Sequence, residues 1–335
     1  YWGRPTWTDG EGHLEYDLRT LKIAVLGGGR IGKEFIKAAY WCGQMMGREE
    51  HEKGPDGKYT YSYYNTKLKI VVLGEKAKSF TRHELEFDMP EAFDEAYKDY
   101  CDFVFEDAVF GTAEFEKDFT EFCSDVDYVL VAFGDDELNF RAASWVKTEL
   151  DRIHMFAGRE IPINMVIENS ELCEAINKKS SDGKKDGERK CILNAFGAVS
   201  YRYDIKNVKV PRAMRLAYIV NTAHGEKLDE KQFYMDEYKS CSSMASALHL
   251  PYKLTGMGKL YAKKYFSDES CKEIDDSGYD DKLKTEVYWI EHRRWCAYMR
   301  SEGYRCPTAH EFFNMAFDKD GNYQNGKQKD NNLRL

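Results

Sequence analysis

The first half of the chain repeats one order: a short apolar run, a turn, then a segment with apolar residues at helical spacing. Residues 23–26 are apolar throughout and predict a strand. Gly27-Gly28-Gly29-Arg30-Ile31-Gly32 follows, and Ile31, Phe35, Ala38, Ala39 and Cys42 then recur on one face of an amphipathic helix. Further strands are predicted at 68–73, 103–105, 128–132 and 163–167. The run at 128–132 is apolar enough to be buried on both faces, and the run at 163–167 is entered through Pro162. Helices are predicted between them at 89–100, at 112–123 (Phe115, Phe119 and Phe122 on one face), after Asp135 or Asp136 as a cap (Leu138, Ala142 and Trp145 on one face), and at 170–177. This alternation predicts an α/β fold, a doubly wound parallel-sheet, Rossmann-like domain over residues 1–178.

Three stretches break the order. Residues 1–20 read as an irregular lead-in whose Trp2 and Trp7 pack on the domain. Residues 43–66 are an insert with a turn at Gly54-Pro55-Asp56-Gly57 and an alternating flank, Tyr59 to Tyr64. The flank predicts a hairpin, with an aromatic cover over a ligand as the competing reading. The tract at 178–190, KKSSDGKKDGERK, holds no apolar residue and predicts a solvated loop. It leads into a linker, 179–229, where Cys191, Ile192 and Leu193 suggest one more strand. Pro211 there begins an apolar helix, expected to pack between the two domains, that reaches His224 and stops at Gly225.

Residues 230–335 change character. They are rich in Tyr, Lys and Asp, carry no further strand–helix–strand pattern, and predict a mainly α-helical domain. Its anchor is a helix over 287–300, closed by Gly303 and Tyr304. Glu291, Trp295 and Tyr298 share a face, as do Glu291 and Arg294.

The candidate chemistry lies at the glycine turn. In a G-x-G-x-x-G run between strand and helix, the first glycine permits a tight turn, the second lets backbone approach a pyrophosphate, and the third lets the helix pack on the strand. Free amides at the helix start favour an anion. A turn that serves packing alone is the competing reading. Glu75, just past the second strand, stands where a carboxylate would accept from ribose hydroxyls, although the insert lengthens the usual spacing of about 20 residues. The helix at 287–300 is not H-E-x-x-H, so no metal site is read from it.

Length and charge narrow the picture. The 335 residues suggest two domains, and a net charge of −9 argues against an extended nucleic-acid surface. Nine scattered cysteines without C-x-x-C suggest reduced thiols in a cytoplasmic setting. No apolar run is long enough to span a membrane, and no signal peptide is visible. The absence of an initial Met suggests a piece of a longer chain, even the cytosolic part of a membrane-associated protein.

The first half resembles the RCK N-terminal (TrkA-N) domain. The resemblance rests on the strand–GGGRIG–helix unit, Glu75, Glu106-Asp107-Ala108 and the run Val131 to Asn139, VAFGDDELN. It implies a regulator of channels or transporters that binds NAD, ATP, ADP or AMP. Gly27, Gly29, Arg30, Ile31 and Gly32 would hold phosphates and Glu75 the ribose. Asp107 and Ala108 would border the base, and Phe133 and Gly134 would close the pocket wall. It also favours a homodimer. The second half resembles bacterial ryanodine-receptor repeat (RyR) domains, through Tyr238-x-x-Cys241-Ser242-Ser243, Ala247-x-His249-x-Pro251-Tyr252-Lys253-Leu254, Glu291-His292-x-Arg294-Trp295 and Gly303-Tyr304. That family's next landmark would fall just past Leu335, which suggests a truncated domain. This resemblance implies a second, nucleotide-type ligand or partner. Arg294 and Lys253 would pair with phosphate, Trp295, Tyr298 or Tyr304 would stack on a base, and Tyr238, Ser242 and Glu291 would complete the site. An internal Glu291–Arg294 ion pair is the competing reading. Together these features lead to a non-catalytic nucleotide sensor controlling a membrane channel or antiviral effector. The alternatives are an NAD(P)-dependent oxidoreductase and a scaffold with an empty turn.

Overall fold

The computed structural model describes residues 20–53, 59–153, 161–182, 191–202, 212–223, 228–256, 281–305 and 333–334. Trp2, Trp7, the turn at 54–57, residues 183–190, Pro211, His224 and Gly225 lie outside the described residues. In chain order the first unit runs β1 (Thr20–Leu26), α1 (Arg30–Cys42), β2 (Met46–Lys53), β3 (Tyr59–Asn65), β4 (Lys67–Gly74), α2 (Arg82–Asp88), β5 (Asp102–Asp107), α3 (Ala113–Cys123), β6 (Tyr128–Val131), α4 (Asp136–Ile153), β7 (Pro162–Val166), α5 (Ser170–Asp182), β8 (Ile192–Phe196) and α6 (Val199–Arg202).

Six of these strands form one sheet in the order β5-β4-β1-β6-β7-β8, every pairing parallel. With the β2–β3 hairpin set aside, this is the 3-2-1-4-5-6 order of a Rossmann-like, doubly wound sheet. β1 and β4 pair from Thr20↔Lys67 to Leu26↔Leu73, and Val25, Leu26, Val71 and Val72 are inaccessible to solvent. Such strands need apolar side chains on both faces because helices cover both. One face packs under α1 and α2 through Ile36, Tyr40 and Leu85. The other packs under α3, α4 and α5 through Phe115, Phe119, Val146 and Ile176. Each fully buried Phe in α3 stabilises the fold by about 1.5–3 kcal/mol.

The structure departs from the sequence pattern at four places. The expected helix at 89–100 is two 3₁₀ turns, Pro90–Phe93 and Glu95–Tyr97, because Asp94 sits between them in extended backbone and its side chain accepts from the Ala96 amide. The expected loop from 178 begins as helix, since α5 continues to Asp182. The strand suggested by Cys191, Ile192 and Leu193 forms as β8 and is the sixth strand of the sheet, so the sheet runs past the expected domain end at 178. Burial on α1 centres on Ile36, Ala39 and Tyr40, with Ile31, Phe35, Ala38 and Cys42 only partly covered, because the helix is flanked on two sides.

The second flank comes from a helical unit: α7 (Arg212–Ala223), α8 (Glu230–Met235), α9 (Glu237–Gly256), α10 (Asp281–Ser301) and a short β9 (Tyr304–Arg305) paired with β10 (Leu333–Arg334). Asp229 and Gln232 close α8 with a reciprocal capping box. The apolar helix α7 packs within this unit, with Ala217 against Phe233 and Ala247, rather than between the two halves. The insert explains itself here. Met46 and Tyr63 of the β2–β3 hairpin join Leu283, Val287 and Ile290 of α10 in a small core.

α10 is bolted to the first unit by side chains one and two turns apart. Arg293 donates to Gln44 Oε1 at 2.8 Å and Asp99 Oδ2 at 2.6 Å, and lies 3.9 Å over the Tyr100 ring. Arg300 lies over Tyr97 and Tyr100 at 3.7 and 4.4 Å. Tyr298 meets Trp41 edge-on at 6.1 Å between centroids, and Ala297 and Met299 enter the core beneath α1.

Candidate functional site

A doubly wound sheet leaves a crevice where its strand order reverses, outside the carboxyl ends of the strands on either side. Here those strands are β1 and β6, and the crevice is bordered by Gly27 to Gly29 and by Ala132 to Gly134. The three fingerprint glycines divide the labour. Gly27 has φ +102, and a Cβ on it would stand 2.4 Å from the Ala132 carbonyl oxygen. A Cβ on Gly32 would stand 2.1 Å from the Gly27 carbonyl oxygen, so this glycine sets the close packing of α1 on the turn. A Cβ on Gly29 would meet nothing within 4 Å. Gly29 is therefore spared a side chain by no neighbour in the protein. It is also the N-cap of α1, its φ of −69° suits any residue, and it supplies no side-chain cap. The first turn of α1 carries no acidic residue, and Arg30 is exposed beside it. Open space, uncapped amides and absent negative charge together favour an anion.

The rim is braced by residues that also came from the sequence. Asp135 Oδ1 accepts from the Leu138 amide at 2.8 Å and caps α4. Asp136 accepts from the Glu168 and Asn169 amides at 2.8 and 2.9 Å and ties α4 to the end of β7. Buried Asn139 accepts from the Phe133 amide at 2.7 Å and donates to the Val166 carbonyl at 2.8 Å. Phe133 is half-buried beside Phe110, and Gly134 has φ +88 with open space around its Cα. On the other side, Glu75 is exposed just past β4. Asp107 accepts from the Lys78 and Ser79 amides at 2.7 and 3.2 Å. Its slight burial would raise the carboxyl, but these amides outweigh it and lower the pKa. Ala108 is buried behind it. Asp107 thus anchors the π-turn Ala77–Thr81, whose Thr81 hydroxyl donates to the Gly28 carbonyl at 3.1 Å. Gly28 is the tight fit at that contact: a Cβ there would stand 2.1 Å from Thr81 Oγ1. Neither Thr81 nor its turn carried a sequence signal, because the segment is polar and its pairing spans 53 positions.

A second polar constellation lies between α9 and α10. Glu291 accepts from Lys253 Nζ at 2.7 Å, from Ser246 Oγ at 2.8 Å, and from Arg294 Nε and Nη2 at 3.0 Å each. Burial alone would raise the Glu291 carboxyl, but Lys253 and Arg294 overcome it and hold its pKa at about 2. Burial pushes Lys253 down, and Glu291 opposes that. Behind them sits His249, inaccessible to solvent; burial, then Lys253 and Arg294, push it down to about 3, so it is neutral. A cavity of about 360 Å³ opens beside the cluster, lined in part by Ser242, Glu291, Arg294 and Trp295. Four of the seven second-site residues expected from sequence therefore converge. Lys253 reaches the cluster through Glu291. Tyr238 and Tyr304 instead pair with each other, edge-on at 6.3 Å, and neither is among the cavity's lining residues. Val220, Ser243, Ser246, Tyr288 and His292 also line the cavity and were missed as site residues; Tyr288 and His292 lie one turn before Glu291 and Trp295 on the predicted face.

Among the described residues no group of His, Cys, Asp and Glu is placed to hold a metal, Cys42, Cys101, Cys123, Cys173, Cys191 and Cys241 form no disulfide, and no helix is long and apolar enough to cross a membrane. Comparisons with protein-family models, with curated proteins and with solved structures found no match to this chain.

Proposed function

We propose that the chain is a non-catalytic nucleotide sensor whose crevice between β1 and β6 holds the phosphates of NAD or of an adenine nucleotide (ATP, ADP or AMP). The observation that carries this reading is Gly29. Its two fingerprint neighbours are glycines because the protein crowds them, whereas Gly29 faces open space at the start of α1. Glu75, exposed past β4, is the ribose partner in this reading, and Arg30 the phosphate partner beside the turn. The signalling step follows from α1 itself. Its first residue adjoins the crevice and its last turn meets α10 through Trp41 and Tyr298. A nucleotide that favours one placement of α1 shifts the population of helical-unit arrangements. A membrane channel or effector, as the RCK resemblance implies, would read that shift, with the chain acting as a homodimer.

The test is Gly29→Asp, which the fold accommodates and a phosphate does not. Mass spectrometry of small molecules released from the purified chain identifies the nucleotide. A thermal-shift panel with NAD, ATP, ADP and AMP then measures it. The expected result is a ligand-dependent rise in Tm for the unaltered chain that disappears in the variant. An equal rise in both, or none in the unaltered chain, sinks the reading.

A further inference from the structure

The geometry points to a second, independent ligand site: the cavity between α7, α9 and α10 binds a small organic anion that carries a flat ring, with its carboxylate or phosphate oxygens on Arg294. Three observations converge. First, Arg294 lines the cavity, is 1 % exposed, and its Nη1 has no hydrogen-bond partner. Glu291 engages only Nε and Nη2, so one edge of the guanidinium is left unmatched. A buried donor without an acceptor is destabilising, more so when charged, and a bound oxyanion removes that cost. Second, the cluster is out of balance. Lys253 and Arg294 bring two positive charges against the single carboxylate of Glu291, and buried charge calls for a counter-charge. Third, the walls suit a ring. Trp295 and Tyr288 line the cavity, His292 stacks on Trp295 at 6.1 Å, and Ser242 and Ser243 supply hydroxyls at the opposite side. Tyr288 is 67 % exposed and His292 is exposed, so they mark the rim, with Arg294 at depth. At about 360 Å³ the cavity lies near the lower end of the roughly 300–1,000 Å³ used for small-molecule sites. That size suits one ring and one anionic group rather than a dinucleotide.

The experiment is isothermal titration of the full chain, and of Gly29→Asp to remove the crevice, with AMP, benzoate and inorganic phosphate. The expected result is 1:1 binding of AMP or benzoate to the Gly29→Asp chain, tighter than phosphate. The two ring-bearing probes separate a phosphate ligand from a carboxylate. Tyr288→Ala, at an exposed position that does not threaten folding, should weaken that binding by about tenfold, the worth of one lost stack. Arg294→Gln should abolish it. The proposal is overturned if neither ring-bearing probe binds the Gly29→Asp chain, if phosphate alone binds as well as they do, or if Tyr288→Ala leaves the affinity unchanged. Should Arg294→Gln fail to fold, Tyr288→Ala decides by itself. Because the deciding titrations use the Gly29→Asp chain, in which the crevice is disabled, failure here leaves the nucleotide reading of the crevice untouched.

Discussion

In the two proposals above, the crevice and the ionic cluster would take an anion in opposite ways. The crevice is made of missing side chains: Gly27, Gly29 and Gly32 lie within six consecutive positions, and what it offers is backbone amides. The cluster is made of long side chains brought together from positions 246, 253, 291 and 294, in a setting that removes most of their water. A backbone site tolerates change at its open position and not at its crowded ones. A side-chain site depends on the balance of charge, so any one partner's loss strands the others.

The largest effect should come from the crowded side of the crevice. Gly27→Val forces a β-branched residue to φ +102 and drives its Cβ toward the Ala132 carbonyl. Backbone strain and overpacking together should cost about 4 kcal/mol or more, read as a collapse of the denaturant midpoint or as loss of soluble protein. A stability within about 1 kcal/mol of the unaltered chain's would show that the turn relaxes, and that its glycines are not steric necessities.

Next in size is the cluster. Glu291→Gln keeps the shape but leaves Lys253 and Arg294 facing each other without their shared carboxylate. Stranding buried charge costs about 3 kcal/mol. Chemical denaturation measures it. A change below about 1 kcal/mol would mean that water screens the cluster as it does a surface pair.

The cluster should also make stability depend on pH. His249 is held at about 3 in the fold against an ordinary 6.5. Its contribution is therefore complete above 6.5 and is lost as the pH falls towards 3, because the unfolded chain takes up a proton that the folded chain refuses. Between pH 7 and 5 the loss should be about 2 kcal/mol. Glu291, at about 2 against 4.5, adds a second loss only below pH 4.5. His249→Phe should flatten the curve between pH 7 and 5 and leave the fall below 4.5 in place, as followed by Tm across a buffer series. An unchanged curve would remove His249 from the account.

The same contrast explains what could be read from the sequence. Local patterns were legible. The strands of the sheet announce themselves as apolar runs, the glycine turn as a fingerprint, Asp135 or Asp136 as a cap, and the insert as an alternating hairpin. Glu291 and Arg294 also show as a pair because three positions on a helix make neighbours. Distant pairings were not legible. Lys253 and Ser246 reach Glu291 across 38 and 45 positions, and Thr81 reaches Gly28 across 53. The apolar helix α7 was expected between the two halves because its composition demanded cover. Composition does not say whose cover, and the helical unit's own Phe233 and Ala247 supply it. The segment at 89–100 misled for a different reason. Its apolar spacing suits a helix, but Met89 (φ −140°, ψ 63°) and Asp94 (φ −73°, ψ 138°) take non-helical backbone, and the Tyr97–Tyr100 stretch is held by Arg293 and Arg300 from the second unit.

The smallest stability effect is the sharpest test of the comparison. Gly29 is the N-cap of α1 with no side-chain cap, and a side chain there has room. Aspartate caps helices better than glycine by a few tenths of a kcal/mol, and its charge suits the helix start. Gly29→Asp should therefore stabilise the ligand-free chain by about 0.3 kcal/mol. The new carboxylate would occupy the place of a phosphate and repel one, so the nucleotide-induced rise in Tm should vanish. Stability and binding then move in opposite directions from a single substitution. A structural glycine predicts destabilisation with no binding to lose. An idle glycine predicts stabilisation with the ligand response intact. Only a glycine kept bare for an anion gives a firmer fold and an unresponsive one, and differential scanning fluorimetry with and without nucleotide reads both signs in one experiment.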